Sequence, residues 1–425
     1  MTVAPVTLPK AAAGTVTTVR VDDARPLLDL LPAEGALSWV RHGDGLVGWG
    51  EAARLEVSGP DALAEAAAWW AEYTASVDVA DGVRLPGTGP VLFAGIAFDS
   101  GTATSVFVVP EVVVGRGGGG TWVTAAGTGD PRRLLPAGRR TADGDAAPRL
   151  RYADGALDPA SWCTAVATAV RRIRAGELAK VVLARDLLVT SDVPLEPGRL
   201  LHRLAARFPD CWTFAVDGLL GATPELLLRR TGRELSARVL AGTAPRGAGA
   251  DDERLAAALM GSAKDRAEHG LALDSVIEAL APYCSSLSVP EGPQLLTLAN
   301  VRHLASDVSG VQRRSGRRGN AGLLELIGAV HPTAAVGGTP RQEAAAVIAE
   351  LEGMDRGRYA GPVGWLDTRG DGEFGLALRC AELSPADPCS ARLFAGCGIV
   401  ADSDPTAELA ETQVKLAAMQ AALEG

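Results

Sequence analysis

Apolar and polar positions along this chain follow two periods, short alternation early on and longer helical spacing later. Between residues 36 and 56 the apolar positions fall in short alternating segments, which predict antiparallel strands. Residues 61–75 form an alanine-rich stretch with Trp69 and Trp70 that predicts a helix. Apolar runs at 91–97 and 105–114, separated by Asp99-Ser100-Gly101, predict a further pair of strands. Gly117 to Gly120 reads as a hairpin loop. It lacks the following Lys-Ser/Thr pair and helix start that a phosphate cradle needs. Residues 1–20, rich in Ala, Thr, Val and Pro, predict a frayed start, and residues 127–150 predict a loop between two halves of the chain.

From Asp158 the elements lengthen. Residues 159–175 predict an amphipathic helix ended by Gly176, and a strand starts at 179–185. Short runs at 212–217, 225–230 and 235–241, joined by Gly, Thr and Pro turns, predict an antiparallel meander. Residues 362–383 predict a hairpin turning at Arg369-Gly370-Asp371-Gly372. A helix begins near Gly261 and runs through Leu271, Leu273, Val276, Ile277 and Leu280. Another begins at Asp402-Ser403-Asp404-Pro405, with a capping side chain ahead of a proline in the first turn. Hairpin-joined strands covered by long helices imply an α+β fold of layered antiparallel sheets flanked by helices. No internal repeat is evident.

The two helices carry the most suggestive chemistry. Glu408, Glu411 and Lys415 follow at steps of three and four, so they share one face, and Asp265 and Glu268 share one turn of the other helix. A solvated face with an i,i+4 Glu–Lys pair has the same spacing. Four carboxylates from two helices would instead suit Mg²⁺, which takes hard oxygen donors, water and an anionic substrate. Zn²⁺ is disfavoured, since neither helix has Cys or His at ligand spacing. Ahead of the second helix, Gly396 and Gly398 bracket Cys397 in what reads as a substrate-gripping turn, where a missing Cβ lets backbone amides approach a ligand. Only four of the 41 Lys and Arg residues are Lys, namely Lys10, Lys180, Lys264 and Lys415. A lysine can act as a base where Arg cannot. Lys180 therefore reads either as a snorkelling strand-edge residue or as a general base. Glu225, after a Pro turn, reads either as a surface turn residue or as a general acid.

Composition narrows the partners. A chain of 425 residues suits one large α/β domain or two to three smaller ones, and a net charge of −10 argues against nucleic acid. The six cysteines, Cys163, Cys211, Cys284, Cys380, Cys389 and Cys397, have no CxxC spacing and read as buried free thiols of a reducing compartment. The first twenty residues hold no apolar leader and no stretch suits a bilayer, so the expectation is a cytoplasmic protein without a membrane partner.

Eight motifs then carry a resemblance. KVVLAR at 180–185, GATPELLLRR at 221–230, LAGTAPRG at 240–247, SAKDRAEH at 262–269, VRHL at 301–304, HPTAAVGGTP at 331–340, ALRCAEL at 377–383, and GCGIV with AELAETQVK at 396–400 and 407–415 occur in that order. Together they resemble the chorismate-utilising enzymes, and most of all isochorismate synthases. The resemblance covers about Asp158 to the last residue, with residues 1–150 similar only weakly. It implies one large anthranilate synthase component I-like domain, in which residues 1–150 are a variable part of the same fold and residues 151–425 the chorismate-binding catalytic region. It further implies that Lys180 activates the water attacking ring carbon 2 of chorismate, and that Glu225 protonates the hydroxyl leaving carbon 4. Glu268 and Glu411 would hold Mg²⁺ against the ring carboxylate, with Asp265 and Glu408 nearby through water. Gly242, His303, Ala335, Tyr359, Arg379, Gly396 and Lys415 would hold the substrate, Arg379 facing the enolpyruvyl carboxylate.

Two positions separate chemistries within the family. Anthranilate synthases, which add ammonia, usually have Gln where Lys180 stands, so Lys180 favours water and no glutaminase subunit is expected. Aminodeoxychorismate synthases place a nucleophilic lysine where this chain has Ala241. Salicylate synthases share the lysine and the acidic pairs and go on to eliminate pyruvate. The AAVGG run at 334–338 is more similar to menaquinone-pathway than to siderophore isochorismate synthases. A non-catalytic chorismate-binding protein would have lost the base, the acid or a metal carboxylate, and all are present. The expected state is a monomer or weak homodimer.

Overall fold

The computed structural model describes residues 14–127, 129–137, 148–314 and 321–425. Its strands form two sheets. The larger runs from an edge at Leu150–Asp154 through Lys180–Ser191, Ser390–Ile399, Cys380–Leu383, Leu219–Thr223 and Trp212–Val216. It continues through Leu37–Arg41, Asp44–Trp49, Val112–Gly117, Gly120–Ala126 and Thr15–Val21 to Asp78–Asp81. The smaller runs from Cys284–Ser288 through Val301–Gln312, Glu234–Pro245, Leu226–Thr231, Gly372–Leu376, Pro362–Asp367, Val91–Gly95 and Ser105–Val109 to Ala53–Val57. Trp39 and Phe214 of the larger sheet share one buried cluster with Phe93, Phe107 and Phe374 of the smaller, so the inner faces bury each other's aromatic residues.

Helices cover what the sheets leave apolar. Leu200 and Leu204 of the Pro197–Arg207 helix and Met419 of the Pro405–Glu424 helix pack with Leu393 and Ala395 on the outer face of the larger sheet. Trp162 and Val166 of the Pro159–Arg174 helix, with Val347 of Arg341–Leu351, pack on Val181 and Leu183. The Ala263–Leu280 helix buries Ala272 and Val276 against the smaller sheet's Ala241. Strands of the first 150 residues thread into both sheets, Trp39 standing opposite Phe214 and Phe93 opposite Trp365.

The α+β expectation holds, with sheets that are antiparallel except where Thr15–Val21 pairs parallel to Asp78–Asp81. Residues 1–13 lie outside the described residues. The rest of the supposedly frayed start is ordered, because Thr15–Val21 pairs on both sides. The run at 105–114 is two strands in different sheets, Ser105–Val109 and Val112–Gly117. Pro110 stands between them, and with no N–H it cannot continue a ladder. Gly117 and Gly120 do close a hairpin. Of the predicted loop at 127–150, residues 138–147 and 128 lie outside the described residues. Pro131–Leu134 is a short 3-10 turn and Leu150–Asp154 an edge strand. The meander at 212–241 is two hairpins in two sheets, crossing at Pro224-Glu225, and residues 362–383 likewise cross between Gly372–Leu376 and Cys380–Leu383. The Ala250–Gly261, Leu323–Val330, Pro197–Arg207 and Arg341–Leu351 helices were not foreseen from the sequence pattern.

Candidate active site

The two-residue period of a strand decides what Lys180–Ser191 offers each side. Val181 and Leu183 face the covering helices, so Lys180, Val182 and Ala184 face the other way, where Val182 lines a cleft. On the neighbouring strand Gly398 stands opposite Val182 and Gly396 opposite Ala184. Gly396 and Gly398 therefore line the cleft from a strand and not from the expected turn, and the turn that follows at Ala401 and Asp402 is not part of the cleft lining. Gly398 is needed for close approach. A Cβ there would lie 2.1 Å from Glu268 Oε1 and 2.9 Å from Lys180 Cε. Lys180, fully buried, brings Nζ to 3.1 Å from Glu268 Oε1, at ion-pair distance but without the alignment of a hydrogen bond.

Glu225 stands where the chain passes from the larger sheet to the smaller, and is 4% exposed. Burial pushes its carboxyl up to about 8, against the opposing pull of Lys180, Arg379 and Lys415. At neutral pH it is a protonated acid. The second crossing holds Arg379 at φ 48, an unusual conformation for a side-chain-bearing residue. Arg379 Nη2 is 3.2 Å from His303 Nε2, and no carboxylate among the described residues reaches ion-pair distance of it. A guanidinium only donates, so His303 Nε2 accepts and its hydrogen sits on Nδ1. That nitrogen faces Thr243 Oγ1 at 3.1 Å and the Gly242 carbonyl at 3.4 Å. Burial, with Arg379 and Lys415 nearby, holds His303 well below its ordinary value, so it is neutral. The arrangement depends on a bulge between Ala241 and Thr243, where Gly242 takes φ 76.

Tyr359 stacks on Phe394 with centroids 4.9 Å apart, and burial raises its phenol. Lys415 Nζ donates to the Gly396 carbonyl at 2.8 Å and pairs with Glu411 Oε1 at 2.6 Å. One cleft is lined by ten of the thirteen expected residues: Glu225, Gly242, Glu268, His303, Ala335, Tyr359, Arg379, Gly396, Glu411 and Lys415. Lys180 is buried beside Glu268 without lining it. Asp265 and Glu408 also stand off the wall.

The four acidic residues do not converge as expected. Among the described residues no group of three or more His, Cys, Asp or Glu is close enough to enclose an ion. The physical reason is that three of them already have counter-ions: Glu268 pairs with Lys180, Glu411 with Lys415, and Glu408 with Lys264 at 2.9 Å. Asp265 has no such partner among the described residues, and burial followed by the like charges of Glu268 and Glu411 raises its carboxyl. Two carboxylates reaching one cleft from two helices, with a third repelled by them, nevertheless fit the hard-oxygen donors Mg²⁺ takes.

Thr243, which lies in the LAGTAPRG motif but is not among the expected residues, and Arg356, which lies in none of the motifs, also line the cleft. Arg356 and Glu352 form a buried pair. Arg356 donates to the Val182 and Val336 carbonyls at 2.8 Å each, while Glu352 accepts from the Ala184 N–H at 2.7 Å. The pair ties the Lys180 strand to the segment carrying Ala335. An arginine among many in a Gly-rich run gives no hint of this. A separate cavity of about 380 Å³ beside Trp39, Trp212 and Arg229 contains none of the expected residues. On its wall Trp39 and Trp212 both donate to Glu373.

Comparison with known proteins places the site in context. The family described as chorismate binding enzyme matches residues 37–424. Isochorismate synthase MenF of Bacillus subtilis (strain 168) is 35% identical over 362 residues, which is 79% of this chain and 75% of that protein. The structure of MenF, the menaquinone-specific isochorismate synthase from Escherichia coli, superposes with a TM-score of 0.78 at 25% identity, over 96% of this chain and 94% of that one. Anthranilate synthase component I from Streptococcus pneumoniae shares the fold, with a TM-score of 0.71 at 21% identity over 89% and 92% of the two chains. The match takes in nearly every strand of both sheets and every residue of the cleft, and the chain belongs to the chorismate binding enzyme family.

Proposed function

We propose that the chain is an isochorismate synthase, which adds water at carbon 2 of chorismate as the hydroxyl leaves carbon 4. The observation that carries this reading is the placement, in one cleft, of a buried carboxyl, Glu225, with two cationic side chains, Arg379 and Lys415. An acid is available for the leaving hydroxyl and cations for a substrate with two carboxylates.

In this reading Lys180, once released from Glu268 and with its own extra proton lost to solvent, takes a proton from the attacking water. Glu225 gives its proton to the hydroxyl on carbon 4, which departs as water while the ring double bond shifts. One water enters and one leaves, so the reaction is an isomerisation. Neutral His303 keeps Arg379 aimed at the enolpyruvyl carboxylate by accepting from its Nη2. Glu268 and Glu411 would hold Mg²⁺, with Asp265 through water. A bound ion there supplies charge neutralisation and a template for the ring carboxylate.

The test is chorismate plus Mg²⁺ with all products resolved. Isochorismate is expected, formed reversibly, and added ammonium should divert little into anthranilate. Anthranilate as main product would overturn the assignment, and salicylate plus pyruvate would move it to a salicylate synthase. Separately, Glu411→Gln should weaken Mg²⁺ and chorismate binding together, because the ion joins protein to carboxylate. Full activity of that variant in the presence of a chelator contradicts this role.

A further inference from the structure

We propose that Lys264 is a positioning residue, whose ion pair with Glu408 sets the approach of the two helices that carry Glu268 and Glu411. The proposal rests on the reading above, in which those two carboxylates hold Mg²⁺. Lys264 stands at the start of the Ala263–Leu280 helix, and its Nζ donates to Glu408 Oε1 at 2.9 Å. Glu408 is buried, with its side chain 3% exposed, and Lys264 reaches it from a position 37% exposed. Among the described residues this is the only side-chain hydrogen bond or ion pair that joins the two helices.

The helices belong to different layers. One packs on the smaller sheet through Ala272 and Val276, the other on the larger through Leu416 and Met419. Each helix also reaches the opposite layer, through Lys180–Glu268 and through Asn300 Nδ2 donating to the Val414 carbonyl, but neither contact runs from helix to helix. Glu268 lies four residues beyond Lys264, and Glu411 three beyond Glu408. The ion pair and the two cleft carboxylates are therefore successive rungs between the same two helices, one turn apart. Holding the first rung at hydrogen-bond length sets the spacing of the second, where one small ion with strict geometry must touch both sides.

Charge alone predicts the opposite sign. Removing an ammonium beside an acidic cluster makes the site more negative and should tighten a dication. Loss of positioning should weaken it. The experiment is calorimetric titration of the full chain with Mg²⁺, with and without chorismate. Lys264→Met is expected to weaken Mg²⁺ about 10–100-fold, the usual cost of losing a supporting partner of a metal ligand. Lys264→Arg, which keeps charge and reach, should restore most of the affinity. In a Glu408→Gln background Lys264→Met should add little, since either change breaks the same rung.

Unchanged or tighter Mg²⁺ binding in Lys264→Met overturns the proposal, as does a drop in melting temperature with affinity intact. Glu268→Gln run in parallel separates the two levels. If it too leaves Mg²⁺ affinity unaltered, the metal reading fails and the proposal with it. If it weakens binding while Lys264→Met does not, the positioning role alone is wrong.

Discussion

Lys180→Ala should lower the rate of the chemical step by about 10²–10⁴, the contribution of a positioned general base, while chorismate affinity changes far less. The split follows from where Lys180 lies. Its ammonium is fully buried beside Glu268 and lines no part of the cleft wall, so it is not placed to anchor either substrate carboxylate. To act as a base it must first lose a proton and give up Glu268. Mg²⁺ affinity should therefore survive Lys180→Ala, because the carboxylate that held the lysine is left free for the ion. Lys180→Met, which keeps the buried stem packed, guards against a folding defect. Single-turnover rates and equilibrium binding separate the two quantities. A variant that kept its turnover and lost only chorismate affinity would make Lys180 a substrate anchor, and the base would have to be sought elsewhere.

Glu225→Gln should cost a comparable factor, about 10²–10⁴, by removing the proton donor, and it carries a pH signature that Lys180 variants do not. With the carboxyl raised to about 8, the acid is loaded at neutral pH and empties as pH climbs through that value. The wild-type rate should fall there, and the alkaline limb assigned to Glu225 should be absent from the residual activity of the variant. Stability should move the other way. Below about 4.5 the carboxyl is protonated in both folded and unfolded chains and has no effect. Between 4.5 and 8 the unfolded chain gives up the proton while the folded chain keeps it, so stability declines with rising pH and levels off above. Glu225→Gln removes that penalty. Its melting temperature should gain on wild type progressively across this window, and a constant difference at all pH values would contradict the burial argument.

What could be read from the sequence, and what could not, divides along a physical line. Local signals worked: Asp404 caps its helix with the following proline in place, and Gly176, at φ 81, follows the end of the Pro159–Arg174 helix. Ten of the thirteen expected residues, far apart in the chain, do line one cleft. Sheet membership could not be read, because Pro110, Pro224 and Arg379 mark crossings that look like ordinary turns when only neighbours are considered. Nor could the pairing of Lys180 with Glu268 and of Lys264 with Glu408 be foreseen, since spacing within one helix says nothing about a partner on another element, whereas Lys415 and Glu411 form the i,i+4 pair their spacing allows. Arg356 is the extreme case. Its role is set by carbonyls of Val182 and Val336, which the sequence shows only as apolar residues.

In the larger sheet the Ser390–Ile399 strand lies between Lys180–Ser191 and Cys380–Leu383. On a ribosome the first of these neighbours emerges roughly two hundred residues before the strand that will cover it. At about 5–20 residues per second, that interval is about 10–40 s. Throughout it the lysine-bearing strand can pair on one side with Leu150–Asp154, while its other edge presents unpaired N–H and C=O groups to any passing chain. The nascent protein is therefore most open to aggregation while the strand that will complete its catalytic sheet has still to be synthesised.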